Sequence, residues 1–120
     1  ILLDELLNKC NLDKNRIHGY DNEEYTHTAV AAHVASGAAD IGFGIEYAAR
    51  KFNLDFIPIV TEQYVLACKK NARNSNSVRH LMDTIKSHEF AKQVCELPGY
   101  QLDAAGTMMT SGKFLYQNPG

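Results

Sequence analysis

The chain has 120 residues, 45% apolar and 22% charged, with a net charge of −2 at pH 7. That balance suits one soluble globular domain, or one lobe of a larger one, and excludes the strong basic excess of a nucleic-acid surface. No apolar run approaches the roughly 20 residues that span a bilayer, so no membrane partner is expected.

The opening segment Ile1-Leu2-Leu3-Asp4-Glu5-Leu6-Leu7 places Leu2, Leu3, Leu6 and Leu7 on one face of a helix. It starts without a capping residue and without methionine, so a preceding strand and turn are expected upstream, and no signal peptide is visible. Asn11 to Asn15 is a polar break, and Arg16 to Tyr20 is a short strand candidate. A second helix is expected from about Thr26 to Ser36, with the Thr26 hydroxyl as N-cap and Gly37 as the left-handed residue past its end. Ala38 to Phe43 is short, small and apolar, the pattern of a strand covered on both faces. Glu46 to Phe52 reads as a third helix that stops at Asn53. Asp55 to Val60 and Gln63 to Cys68, rich in Ile, Val, Phe and Tyr, read as two further strands.

The character changes at Lys69 to Ser77, a polar, basic, turn-rich stretch that reads as an exposed loop. Two short helices follow near Ser77 to Lys86 and Ser87 to Glu96, the second capped by Ser87 and terminated by Pro98-Gly99. From Asp103 onward periodicity fades. The domain is drawn as residues 1–106 and residues 107–120 as a poorly ordered tail. Strands alternating with helices over short connections argue for an α/β architecture on a mostly parallel sheet.

In such sheets ligands collect beyond the carboxyl ends of the strands, which draws attention to Gly42-Phe43-Gly44. A strand that ends in this turn and feeds a helix sets backbone N–H groups and a positive helix end beside one spot, a cradle for a small anion or carboxylate. The bland reading is that the glycines only let strand and helix cross closely. The third glycine of a dinucleotide fingerprint is absent, because Tyr47 occupies its place. Thr26 and His27 at a helix start can converge on an anion, or simply cap the helix and face solvent. Glu62 could meet a ligand donor at a hinge or be solvated, and Tyr64 could bring its hydroxyl to the same cleft or bury its ring.

Other chemistries find little support. The five histidines lack zinc spacing with one another or with cysteine, and no nucleophile elbow is present. Neither a cofactor nor a catalytic residue is expected. Lys69, Lys70 and Arg73 read as a solvated loop and not as a phosphate-backbone contact. Cys10, Cys68 and Cys95, odd in number and far apart in apolar surroundings, read as buried free thiols of a reducing cytoplasm.

The run Tyr25-Thr26-His27-x-Ala29-Val30-Ala31-x-x-Val34-Ala35-Ser36-Gly37-x-Ala39-Asp40-x-Gly42-x-Gly44-Ile45-Glu46-x-Ala48-Ala49, followed by Leu54-Asp55-Phe56-x-Pro58, closely resembles one family. It is the periplasmic-binding-protein-like domain found in molybdopterin-biosynthesis proteins and in some helix-turn-helix regulators. Glu62-x-Tyr64, Ser87-x-Glu89-Phe90 and Leu97-Pro98-Gly99-Tyr100 share the likeness, which covers residues 1–106. The resemblance implies a lobe of a three-layer, type II binding fold related to molybdate and tungstate receptors and to LysR-type effector domains. It also implies that the N-terminal half of the domain, with an arginine-bearing anion-binding turn, lies outside this chain. On that reading the chain is a non-catalytic, cytoplasmic ligand-binding lobe. An oxyanion such as molybdate or tungstate would be held by Thr26, His27, Gly42, Phe43 and Gly44, with Glu62 and Tyr64 lining the hinge. A homodimer through an exposed sheet edge is a further expectation. The rival readings are a substrate-holding module of a molybdopterin-biosynthesis enzyme and a structural dimerisation domain.

Overall fold

The computed structural model describes residues 2–109. Among them run five α-helices, α1 (Leu2–Lys9), α2 (His27–Ala35), α3 (Glu46–Lys51), α4 (Asn76–Ile85) and α5 (His88–Cys95), with single 3-10 turns at Lys14–Arg16 and Lys70–Ala72. The chain divides into two units between Phe56 and Ile57.

In the first unit the helix ends follow local chemistry. The Thr26 hydroxyl oxygen accepts the Ala29 N–H at 3.0 Å and starts α2. Gly37, at φ +78°, turns the chain out of it. Asn53, at φ +55°, does the same after α3, a conformation asparagine tolerates better than most residues. α2 packs against α3, and the buried residues of these two helices are Ala31, Ala48 and Ala49. Small side chains let two helices approach closely at little cost in side-chain entropy. Leu7 of α1 completes the set of buried residues in the whole described chain.

In the second unit, α4 packs against α5. Ser75 caps α4 by accepting the Val78 N–H, and Ser87 caps α5 by accepting the Phe90 N–H. Val78, Met82, Ile85, Phe90, Ala91 and Val94 are half-buried at helical spacing, so each helix covers one apolar stripe. None of the described residues in this unit is fully buried.

The expectation of a three-layer, mostly parallel sheet is overturned: among the described residues there is no strand and no sheet. Ala38 to Phe43 and Asp55 to Cys68 are without helix or ladder, and several of their apolar side chains face solvent, Ile41 at 78% and Ile57 at 76% exposure. A β-branched run marks a segment suited to a pleated, half-buried surface, but a strand exists only when a second backbone takes its N–H and C=O groups. That partner is absent among the described residues, and the cover on both faces expected of Ala38 to Phe43 is absent with it. Arg16 to Tyr20 is also no strand. Asp13 accepts the Asn15 N–H at 2.9 Å and tightens the chain into a 3-10 turn, and Gly19 at φ +75° bends it again.

The three cysteines are free, as expected, but all three are exposed rather than buried. Most of the expected tail, residues 110–120, lies outside the described residues. No helix of the described residues is long and apolar enough to cross a membrane.

Candidate functional site

Five of the seven expected ligand residues fall in the first unit, where the turn after residue 41 lies against α2. A Cβ built on Gly42 would stand 2.5 Å from Cγ1 of Val30 and 3.1 Å from Cγ2 of Val34. That separation is shorter than any side chain tolerates, so this position needs glycine for close approach of the turn to the helix. Two residues on, a Cβ on Gly44 would lie 3.8 Å from Nδ1 of His27, an ordinary contact. The chain thus brings His27 and Gly44 together at the start of α2, with Thr26 as the cap beside them.

The polar groups at this corner have distinct duties. The Thr26 hydroxyl oxygen is occupied as an acceptor by Ala29, and its O–H remains able to donate. His27 occupies the first position of the nine-residue α2 and is exposed. There the helix dipole and the first-turn amides favour negative charge. Phe43 lies between the two glycines and is 42% exposed, a partly open aromatic face beside the imidazole corner. Ile45, the residue before α3, makes no side-chain cap hydrogen bond.

Glu62 and Tyr64 belong to the second unit. Both are exposed on the extended stretch between Ile57 and Lys69, Tyr64 at 73%. The described residues contain no cluster of His, Cys, Asp and Glu able to hold a metal ion.

Two polar features escaped the sequence reading. His33 Nδ1 meets Glu24 Oε1 at 3.0 Å, linking the approach to α2 with its last turn. The Tyr20 hydroxyl donates to Asp4 of α1, and this hydrogen bond to a carboxylate raises the Tyr20 pKa above the ordinary tyrosine value. Lys14 Nζ stands 5.6 Å from the centroid of the same ring, within cation–π range. Both pairings join residues far apart in sequence, and no local pattern announces them.

The family model described as a PBP superfamily domain matches residues 1–86, and the chain belongs to that superfamily. An uncharacterized Clostridium pasteurianum protein, from the region 5′ of the ferredoxin 2Fe-2S gene, is 40% identical over 111 residues, covering 92% of this chain and 98% of that protein. The uncharacterized protein YvgK of Bacillus subtilis (strain 168) is 32% identical over 110 residues, covering 91% of this chain but 35% of its own. The chain therefore spans about a third of the length of that second relative. No solved structure matches.

Proposed function

We propose that this chain is the ligand-holding part of a non-catalytic receptor for a small oxyanion, with molybdate or tungstate as the leading candidates. The parent protein would couple that ligand to molybdenum-cofactor synthesis or its regulation inside the cell. Membership of the PBP superfamily supports ligand binding as the task. The observation that carries the anion reading is the juxtaposition of His27 and Gly44 at the capped start of α2. A side-chain-free turn leaves room for an anion to approach main-chain amides, while imidazole, threonine O–H and the helix end supply donors. Nothing in that set acts as nucleophile or paired acid and base, which fits holding and release.

The test is a thermal-shift and calorimetric titration with molybdate, tungstate, sulfate and phosphate. A ligand at 100 times its Kd should stabilise the fold by about 2.7 kcal/mol. Gly44→Val should abolish that gain, because a β-branched side chain fills the approach beside His27. Retained binding in Gly44→Val would remove the turn from the site, and no response to any oxyanion would end the reading. A second reading, association with another copy of the chain, is favoured by one observation: the extended, exposed apolar run from Ile57 to Leu66.

A further inference from the structure

A groove of mixed polar and apolar lining lies wholly within the second unit, between α4 and the turn that ends in Met108. Open on one side to solvent, it offers about 670 Å³, within the usual size of a small-molecule site. Arg79, Met82, Asp83 and Lys86 line one wall. Their spacing of three, four and seven residues puts all four on one stripe of α4 and its cap. Arg73, which closes the preceding 3-10 turn, adds a third cation from a different element. In a chain of net charge −2, the groove thus gathers three cations against the single carboxylate of Asp83. None of the ion pairs among the described residues includes Arg73, Arg79 or Lys86.

The opposite wall is shaped to receive one of those cations. Gly106 sits at φ +77°, and a Cβ there would lie 2.5 Å from Cγ and 2.8 Å from Cε of Lys86. The bare glycine lets the lysine stem lie flat along the turn, which restricts the stem's freedom before any ligand arrives. Thr107 adds a hydroxyl at the same edge, and Met82 and Met108 provide an adaptable apolar surface.

We propose that this groove binds a small phosphorylated organic anion. Two arginine forks and an ammonium match a phosphate monoester, which carries close to two negative charges at neutral pH. The methionine surface suits an apolar body attached to it. The site is separate from the His27–Gly44 corner and does not depend on the oxyanion reading.

The test is an amide-resonance titration of the full chain with phenyl phosphate and, separately, with inorganic phosphate. Phenyl phosphate should give saturable shifts centred on Arg79, Gly106 and Thr107, and should bind about tenfold more tightly than inorganic phosphate. Arg79→Gln and Lys86→Gln should each weaken it by about tenfold. Lys51→Gln on α3, which removes a cation outside the groove, should leave it unchanged. Both groove residues are exposed, and unchanged helical circular dichroism separates lost binding from lost folding. Absence of saturable shifts, or equal weakening by Lys51→Gln, would overturn the proposal. Equal affinity for the two phosphates would overturn its organic part.

Discussion

Two stretches expected to form strands meet different fates in the two units. Ala38 to Phe43, short, small and apolar, and Ile57 to Leu66, rich in strand formers, are both without helix or ladder. The first leads into a turn that lies against α2, with Gly42 beside Val30 and Val34. The second has no such neighbour, and Ile57, Ile59, Val60, Tyr64, Val65 and Leu66 are all exposed. The difference is one of sequence distance. α2 ends just before the first segment, and Gly37 turns the chain so that Gly42 returns against Val30 and Val34 at little cost in loop closure. A cover for the second would have to arrive from farther along the chain or from another molecule.

The largest effect should come from removing the close approach that sets the first segment apart. Gly42→Ala should destabilise the chain by about 1–3 kcal/mol, the usual range for forcing extra atoms into a packed position. Gly44→Ala, with only an ordinary contact ahead of it, should stay within about 0.5 kcal/mol. Urea unfolding followed by circular dichroism reads both. Equal losses would mean that the turn does not rest on α2 as tightly as Val30 implies.

The helices were legible in the sequence because what starts and stops them is local. Thr26, Ser87, Gly37 and Asn53 act within a few residues of themselves, and each does what its residue type predicts. The sheet was not legible as absent, because pairing is a property of two segments and the pattern of one says nothing of the other. The site divides the same way. His27 and Gly44 lie seventeen positions apart in sequence and come together because helix and turn are consecutive. The basic groove joins Arg73 of the loop to Arg79 of α4 and Lys86 of its cap, so the linear run Lys69, Lys70 and Arg73 does not disclose it, whereas the helical register of Arg79, Met82, Asp83 and Lys86 does.

A middle-sized effect tests whether the start of α2 is what holds the first segment. Thr26→Ala should cost about 1 kcal/mol by leaving the Ala29 N–H without its acceptor. It should also weaken oxyanion binding if the helix start is the site. Ser87→Ala should cost a similar amount in the second unit and leave oxyanion binding alone. The same oxyanion affinity in both variants would separate capping from ligand contact.

A smaller effect concerns how α1 is tied to the chain that follows it in the first unit. Because the folded Tyr20 pKa is raised by its bond to Asp4 and the Asp4 carboxyl is lowered to about 2, the contact contributes fully between the ordinary carboxylate value, about 4, and the unfolded tyrosine value, about 10. It is lost as pH climbs through the higher folded value. Ultraviolet titration should therefore show one phenol ionising above the ordinary tyrosine range. Tyr20→Phe should abolish that late component, and its persistence would assign the shift to another tyrosine.

The smallest effect on stability carries the sharpest test of the comparison. Val65 is 60% exposed in an extended stretch, so Val65→Lys should change the unfolding free energy by less than about 0.5 kcal/mol. A backbone run with open N–H and C=O groups and apolar side chains is nonetheless a template for strand addition. Glu62 is its single charge, and Pro58 removes one donor near its start, so pairing should favour the end from Tyr64 to Cys68. Light scattering should show the mass of the natural chain rising with concentration, and Val65→Lys should suppress that rise while Ile41→Lys does so less. A natural chain that stays monomeric at high concentration would mean that solvent alone satisfies this segment. The contrast between the two segments would then concern packing within each unit and not association.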